Sequence, residues 1–551
     1  MSQSWPNGGA GSNRRAPEPD TDAGEDVDPR VVDLLTSVLA TEGGEPERID
    51  THGALVLLGR KTVFKIKRRI AFPYMDFSTL GARARAAAAE IRLNRRTAPE
   101  IYRGLMPVLE DADGLRLGDL QTEVGQNGPI EPNGDSARTD CVEWVVVMSR
   151  FDESRLLSRL AANGELAPAL LKQLADRVHS FHDSEPPART RQYDAVRSVI
   201  DGNIDELAGC DTLDAEQRSQ LAILSRDHLE RLEDHLERRA AEGHVRRCHG
   251  DLHLGNVVAT DDGPLLFDAL EFDDDLATID TAYDNAFLLM DLDRFGLLGG
   301  ANVFLNRVLD LSGDYGAVQP LALFLSMRAA VRAKIGISAA DAQTDAGAAK
   351  RKRVEAADYL RRAVTYLQPP EPVMIAVGGL SGTGKTSVAN AIAPYIGAVP
   401  GAVVLRSDVI RKRLAGVAET QPLDPSWYTP DVSTRIYDEM AATAARISEA
   451  GHSVILDAVA AKPEERAQFE QASGPRRFVG IWLTADADLL KTRVTSRKGD
   501  ASDATAAVVE RQTQYDLGDI AWNVVAADNP LETVADRALA IVRHGNTADD
   551  K

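Results

Sequence analysis

Cysteine is scarce in this chain, with only Cys141, Cys210 and Cys248 among 551 residues. Their odd number and irregular spacing exclude a disulfide framework and a metal ribbon, and imply reduced thiols. Aromatic residues make up 5%, too few for the stacking platforms of a single-strand nucleic-acid binder. Positive charge is the minority sign. A formal net charge of −21 argues against a general nucleic-acid surface. No apolar run reaches the ~20 residues that span a bilayer. The N-terminus also lacks the positive-then-apolar order of a secretion signal. The expectation is therefore a cytoplasmic protein with no membrane partner. What is present is ordinary globular material, 44% apolar and 27% charged, long enough for several domains.

Composition divides the chain. Residues 1–28 are rich in Gly, Pro, Asp, Asn and Ser and cannot bury enough surface to offset ordering entropy, so a disordered tail is expected. Ala54–Leu58 and Thr62–Lys67 read as strands, the second alternating at period two, and the Ala- and Arg-rich stretch 81–96 as a helix. Residues 119–140 read as a loop, and Val142–Met148 as a buried strand. Beyond about 150 the pattern is helical, with Leu221, Leu224, Leu229, Leu232 and Leu236 on one face and a closing helix expected over Ser338–Leu367. Gln368-Pro369-Pro370-Glu371-Pro372 is the clearest linker. After it, strands at 373–377, 402–406, 453–457 and 478–483 alternate with helices, a parallel α/β pattern. The expected domains are 29–367, with a small lobe to about 150, and 373–545.

Two phosphate-handling motifs lie in these domains. The first is His249-Gly250-Asp251-Leu252-His253-Leu254-Gly255-Asn256, followed by Phe267-Asp268. This is the order of a kinase-type catalytic loop and metal aspartate. Asp251 suits a base for an acceptor hydroxyl, while Asn256 and Asp268 offer hard oxygen ligands to magnesium. Upstream, Lys65 or Lys67 is placed to pair nucleotide phosphates, with Glu90 on the next helix holding it. Period two puts both lysines on one face; Lys65 is preferred. The competing readings are a simple turn at Asp251 and Asn256, or a metal cluster of His249, Asp251 and His253.

These residues resemble the aminoglycoside phosphotransferase and choline kinase-like superfamily, over roughly residues 45–340. That resemblance implies a bilobal protein-kinase-like fold with the adenine against a hinge at Met148–Phe151. No Gly-x-Gly-x-x-Gly precedes Lys65 and no Ala-Pro-Glu follows Asp268, which argues against protein-kinase activity.

The second motif, Gly379-Leu380-Ser381-Gly382-Thr383-Gly384-Lys385-Thr386, follows an apolar strand and is a P-loop without a mismatch. Its glycines turn backbone N–H groups onto phosphates, with Ser381, Thr383 and Ser387 in the same cradle. Lys385 reaches the terminal phosphates and Thr386 offers a hydroxyl to magnesium. Asp408, at the carboxyl end of Val403–Arg406, stands where ligands bind in open α/β sheets and is the candidate acceptor base, with a helix cap as the plain alternative. Asp457 ends a further strand and is the second metal-side candidate. Arg493 and Arg497 share a helix face and have the fork geometry for phosphate oxygens, with a solvated helix face as the plain alternative. The series resembles the gluconate and shikimate kinases and the zeta-toxin family over about 372–545, and that resemblance implies a lid arginine over the transferred phosphate, for which Arg497 is the candidate.

The fold expected is thus α/β and α+β: a kinase-like domain, then a P-loop parallel α/β domain resembling nucleoside-monophosphate kinases. The function expected is a two-domain phosphotransferase using ATP and Mg2+, the first domain phosphorylating a hydroxyl of a small molecule and the P-loop domain acting as a small-molecule or nucleotide kinase. Three rivals stand beside it: a P-loop domain that only gates the first, a polynucleotide-end kinase, and an inactive scaffold.

Overall fold

Alternation at period two decides the first sheet. In the strand Thr62–Lys67, Phe64 and Ile66 turn to an apolar face and Lys65 and Lys67 to the opposite one. The helix Pro29–Ala40 covers the apolar face with Val31, Leu35 and Leu39, spaced four apart. Each such side chain, fully buried, contributes about 1.5–3 kcal/mol. Asp28 caps that helix by accepting from Arg30 N at 2.9 Å, and Pro29 pre-sets its first turn.

The computed structural model describes residues 26–51, 53–72, 75–125, 128–129, 140–496 and 501–544. The chain resolves into two compact units, one ending at Phe151 and one beginning at Asp152. In the first, six antiparallel strands run in the order Glu47–Asp50, Ala54–Leu58, Thr62–Lys67, Cys141–Ser149, Tyr102–Asp111, Gly114–Leu117. The helix Leu80–Asn94, capped by Thr79, presents Glu90 to the lysine face. Most of the expected tail, and 130–139 of the expected loop, lie outside the described residues. Val124–Gly125 and Gly128–Pro129 pair as a short hairpin within that loop.

The second unit opens with helices, the longest being Ala215–Ala241. Short hairpin strands, Val257–Thr260 and Gly263–Leu266, carry the chain from Asn256 to Asp268. The closing helix expected over 338–367 is instead the end of one helix, Leu321–Asp341, a turn, and a second helix, Ala346–Tyr366. Asp345 makes the break by capping the second helix, its carboxylate accepting from Ala348 N at 2.6 Å. Beyond the exposed linker lies a five-stranded parallel sheet, ordered Val403–Arg406, Val454–Asp457, Val373–Gly379, Arg477–Thr484, Asn523–Ala526. The fifth strand was not expected.

One core runs through this unit. Phe304, Leu305 and Leu309 of the helix Leu298–Ser312 share an apolar cluster with Val403, Leu405 and Met440 around the parallel sheet. Asn306 Oδ1 accepts from Val404 N at 2.7 Å, and Asn302 Nδ2 donates to Ala402 O at 3.0 Å. The helix thereby covers the outer edge of the Val403–Arg406 strand. Among the described residues no helix is long and apolar enough to cross a membrane.

Candidate active sites

In the first unit, Lys65 and Lys67 both pair with Glu90, at 2.8 and 2.6 Å. Glu90 is fully buried, Lys67 nearly so, and Lys65 keeps 13% of its side-chain surface. Burial pushes the Glu90 carboxyl up, but the two ammonium groups override it and hold it at about 2. The choice between the lysines thus becomes a shared arrangement, in which Lys65 is the more accessible member. Glu143, buried beneath, receives Arg83 through both oxygens at 3.1 and 2.9 Å.

In the second unit, the backbone of the first motif hangs on a buried carboxylate. Asp284 accepts from Gly250 N at 2.9 Å and His249 N at 3.2 Å, and His182 Nε2 lies 2.9 Å from it. Gly250 has φ +83, and a Cβ there would come within 3.0 Å of Ala277 Cβ. Arg328 donates to Gly250 O at 3.1 Å, and Asp291 accepts from Leu254 N at 3.1 Å. Fixed this way, Asp251 and Asn256 meet: Asn256 Nδ2 donates to Asp251 Oδ2 at 3.0 Å.

Burial raises the Asp251 carboxyl, but His253, His249 and Arg332 hold it below the usual carboxylate range, so it is charged at neutral pH. Its side chain is nonetheless 42% exposed and accessible. With the Asn256 amide nitrogen spent on Asp251, its carbonyl oxygen is left for a cation. Asp268 adopts φ +61, a conformation costly for a residue with a Cβ. The three-residue metal cluster does not assemble: His249 Nε2 donates to Phe267 O at 3.0 Å, and His253 Nδ1 accepts from Gly255 N at 3.0 Å.

In the P-loop, Gly382 has φ +87 and a Cβ there would lie 2.7 Å from Leu490 O, so only glycine fits. Gly379 and Gly384 share its positive φ. Lys385 opens the helix Lys385–Ile392 and donates to Leu380 O at 3.1 Å, as Thr383 Oγ1 does at 2.8 Å. Ser387, in the same first turn, is exposed. Thr386 Oγ1 donates to Asp457 Oδ2 at 2.5 Å. Burial raises the Asp457 carboxyl despite Lys385 and Arg406. A divalent cation between Thr386 and Asp457 would relieve that cost, so this donor pair fits magnesium.

Asp408 stands half-buried in the first turn of the helix Ser407–Leu414, whose cap position is Arg406, so it is not the capping residue. Arg493 donates to Ala527 O at 2.9 Å, a strand-end carbonyl. Arg497 lies outside the described residues.

Several contributors were invisible in the motifs. Gln512 Oε1 accepts from Ser381 N at 2.7 Å and so fixes the P-loop from 131 residues away. Asp503 accepts from the buried Lys412 at 2.8 Å and from Leu423 N at 3.0 Å, tying 501–505 to the segment after the Asp408 helix. Asp284 lies 34 residues beyond Gly250, and nothing in its spacing marks it as the loop's anchor.

Two families match the chain. The one described as "Phosphotransferase enzyme family" matches residues 128–321, and the one described as "AAA domain" matches 374–516. An uncharacterized protein of Mycobacterium tuberculosis is 29% identical over 497 residues, covering 85% of this chain and 90% of its own length. A choline/ethanolamine kinase family protein of Mesorhizobium loti is 14% identical with TM-score 0.36, over 61% of this chain and 99% of that one. A gluconokinase of Sinorhizobium meliloti is 23% identical with TM-score 0.24, over 31% of this chain and 93% of that one.

Proposed function

We infer that this chain carries a phosphotransferase domain similar to the aminoglycoside phosphotransferases, followed by a P-loop domain of kinase type. We propose that it is an ATP- and Mg2+-dependent enzyme with two phosphotransfer sites, each using a hydroxyl of a small molecule as acceptor. The observation that carries this reading is the Asp251–Asn256 pair: an ionised, accessible carboxylate locked to a residue whose free oxygen suits a metal.

At the first site Asp251 orients the acceptor hydroxyl and takes its proton as its oxygen attacks the γ-phosphorus and the bond to the β-phosphate oxygen breaks. Asn256 and Asp268 would hold magnesium, which supplies charge neutralisation on the phosphates. Lys65, steadied by Glu90, is assigned to the phosphates. At the second site Lys385 and the P-loop N–H groups bind phosphates, Thr386 and Asp457 would hold magnesium, and Asp408 is the acceptor base. Arg497 is assigned to the lid.

Separate substitutions test this by labelled-ATP transfer into a metabolite extract. Asp251→Asn in a Lys385→Ala background should keep nucleotide binding and cut transfer about a hundredfold or more. Asp268→Asn should weaken Mg-ATP binding itself. Equal loss of binding in both would make Asp251 structural.

A second reading has its own support. Glu419 links Arg307 of the helical lobe to Arg406 at the end of the Val403–Arg406 strand, so the P-loop domain is wired to its neighbour. In that reading the P-loop domain gates the first site and Asp408 has no acceptor to serve. Asp408→Asn decides: loss of P-loop-dependent transfer supports catalysis, and full transfer removes its role as base.

A further inference from the structure

One arginine beside the first motif has two acids in its vicinity but is in ion-pair contact with neither among the described residues. Arg328 and Arg332 lie four residues apart on the helix Leu321–Asp341 and therefore share a face. Arg328 is spent on Gly250 O at 3.1 Å and Tyr283 O at 3.3 Å, directly behind Asp251. Arg332, one turn further, forms no ion pair among the described residues. By contrast, Arg353 and Arg362 of the following helix are matched by Asp341 and by Asp293 with Asp358.

The surroundings of Arg332 are built rather than open. Its guanidinium lies 5.7 Å from the Tyr359 ring centroid, and Arg294 lies 5.0 Å from the same ring. Tyr359 is 1% exposed, and its hydroxyl lies against the Arg332 guanidinium without forming a well-aligned hydrogen bond to it or to any other group among the described residues. An orphaned buried hydroxyl costs free energy unless a ligand satisfies it. The two nearby acids are already engaged. Asp291 accepts from Leu254 N at 3.1 Å, and Asp251 accepts from Asn256 at 3.0 Å. Burial works against the charge on Arg332, and the Tyr359 hydroxyl with these two acids outweighs it, strengthening the hold of Arg332 on its proton.

We propose that the acceptor of the first site carries an anionic group, a carboxylate or phosphate, that Arg332 and the Tyr359 hydroxyl bind while its own hydroxyl meets Asp251. This rests on the phosphotransferase reading of that site and adds the acceptor's class. An arginine fork and a phenol O–H together offer donors suited to a planar or tetrahedral oxyanion. They would repel a polycationic acceptor.

The test measures anion binding rather than turnover, so it separates from the test of Asp251. The full chain carrying Lys385→Ala, which weakens the P-loop's own hold on phosphate, is saturated with Mg2+ and a non-hydrolysable ATP analogue. Inorganic phosphate and malonate are titrated at constant ionic strength against chloride, with amide exchange of 346–366 as the readout. Protection by phosphate, malonate or both is expected, and which of them acts identifies the anion. Arg332→Gln should weaken that binding by at least about tenfold, Tyr359→Phe by less, and Arg332→Lys should retain part of it. Absence of protection by either anion overturns the proposal, as does equal binding by the Arg332→Gln and parent chains. If Arg332→Gln fails to fold, Tyr359→Phe and Arg332→Lys decide by the same criterion. Anion binding with no transfer would sink the phosphotransferase reading alone.

Discussion

Arg307 donates to Glu419 at 2.6 Å across 112 residues of sequence, joining the helical lobe to the P-loop domain. The pair sits in a chain of charges. Asp176 takes Arg307 from the other side at 2.6 Å, and the second oxygen of Glu419 receives Arg406 at 2.8 Å. All three central side chains are less than a third exposed, so solvent screens them only partly. Glu419→Ala leaves two guanidinium groups without their shared partner and should cost about 1–2 kcal/mol. A melting temperature a few degrees below the parent's is the expected result, and an unchanged one would show that the network contributes nothing.

The core shared by Phe304, Leu309, Val403 and Leu405 makes a second expectation. Residues 368–371 are exposed, so a protease site inserted there should be cut readily. The two halves should nevertheless stay together, because separating them returns apolar surface to water at about 25 cal/mol per Å². Co-elution on size exclusion after complete cleavage checks this; separate peaks would mean that the junction is weak.

Glu90 carries a pH signature. Its folded carboxyl sits at about 2, below the ordinary 4.5. A depressed acid contributes stability that is fully present above the unfolded value and is lost as pH falls through the folded one. The first unit should therefore loosen between about pH 4.5 and 2. Glu90→Gln should cost about 3–5 kcal/mol at neutral pH, since it strands two lysines, and that deficit should shrink in acid. Amide exchange of 62–67 against pH reads both effects. A deficit independent of pH would refute the assignment.

Asp310 has the opposite sign. Burial pushes its carboxyl up to about 7, and the nearby Glu419 adds to this, against Arg406, Arg307 and the Tyr315 hydroxyl. Its charged form is disfavoured by the fold, so the stability it allows is present below the ordinary 3.8 and falls as pH rises towards 7. Asp310→Asn should gain on the parent as pH goes from 5 to 8, measured as the difference in melting temperature. A constant difference would place that carboxylate in a solvated environment.

What the sequence disclosed was what is local. The P-loop and the Asp251 loop are contiguous, and their glycines, lysine and acids declare themselves by spacing. The partners that fix them come from far along the chain: Gln512 for Ser381, Asp284 for Gly250, Asp291 for Leu254. Their residue types are common and their spacing carries no signal. The strand Asn523–Ala526 was missed because four residues with a polar start give no periodicity, and it is held by pairing with Arg477–Thr484. The helix break at 342–345 was hidden because Ala and Arg favour helix on both sides, while the single cap at Asp345 decides. Arg493 shares the helix face of the candidate lid arginine by periodicity alone, yet a strand-end carbonyl claims it.

The amides of Asn302 and Asn306 have one more consequence. An outer strand with bare N–H and C=O groups recruits other strands, and chains that expose one grow into open-ended assemblies. Here those groups on Ala402 and Val404 are already capped by side chains of the preceding helix. The helical lobe therefore serves its neighbour as a permanent intramolecular chaperone. A P-loop domain produced without it would tend towards filaments before any question of catalysis arose.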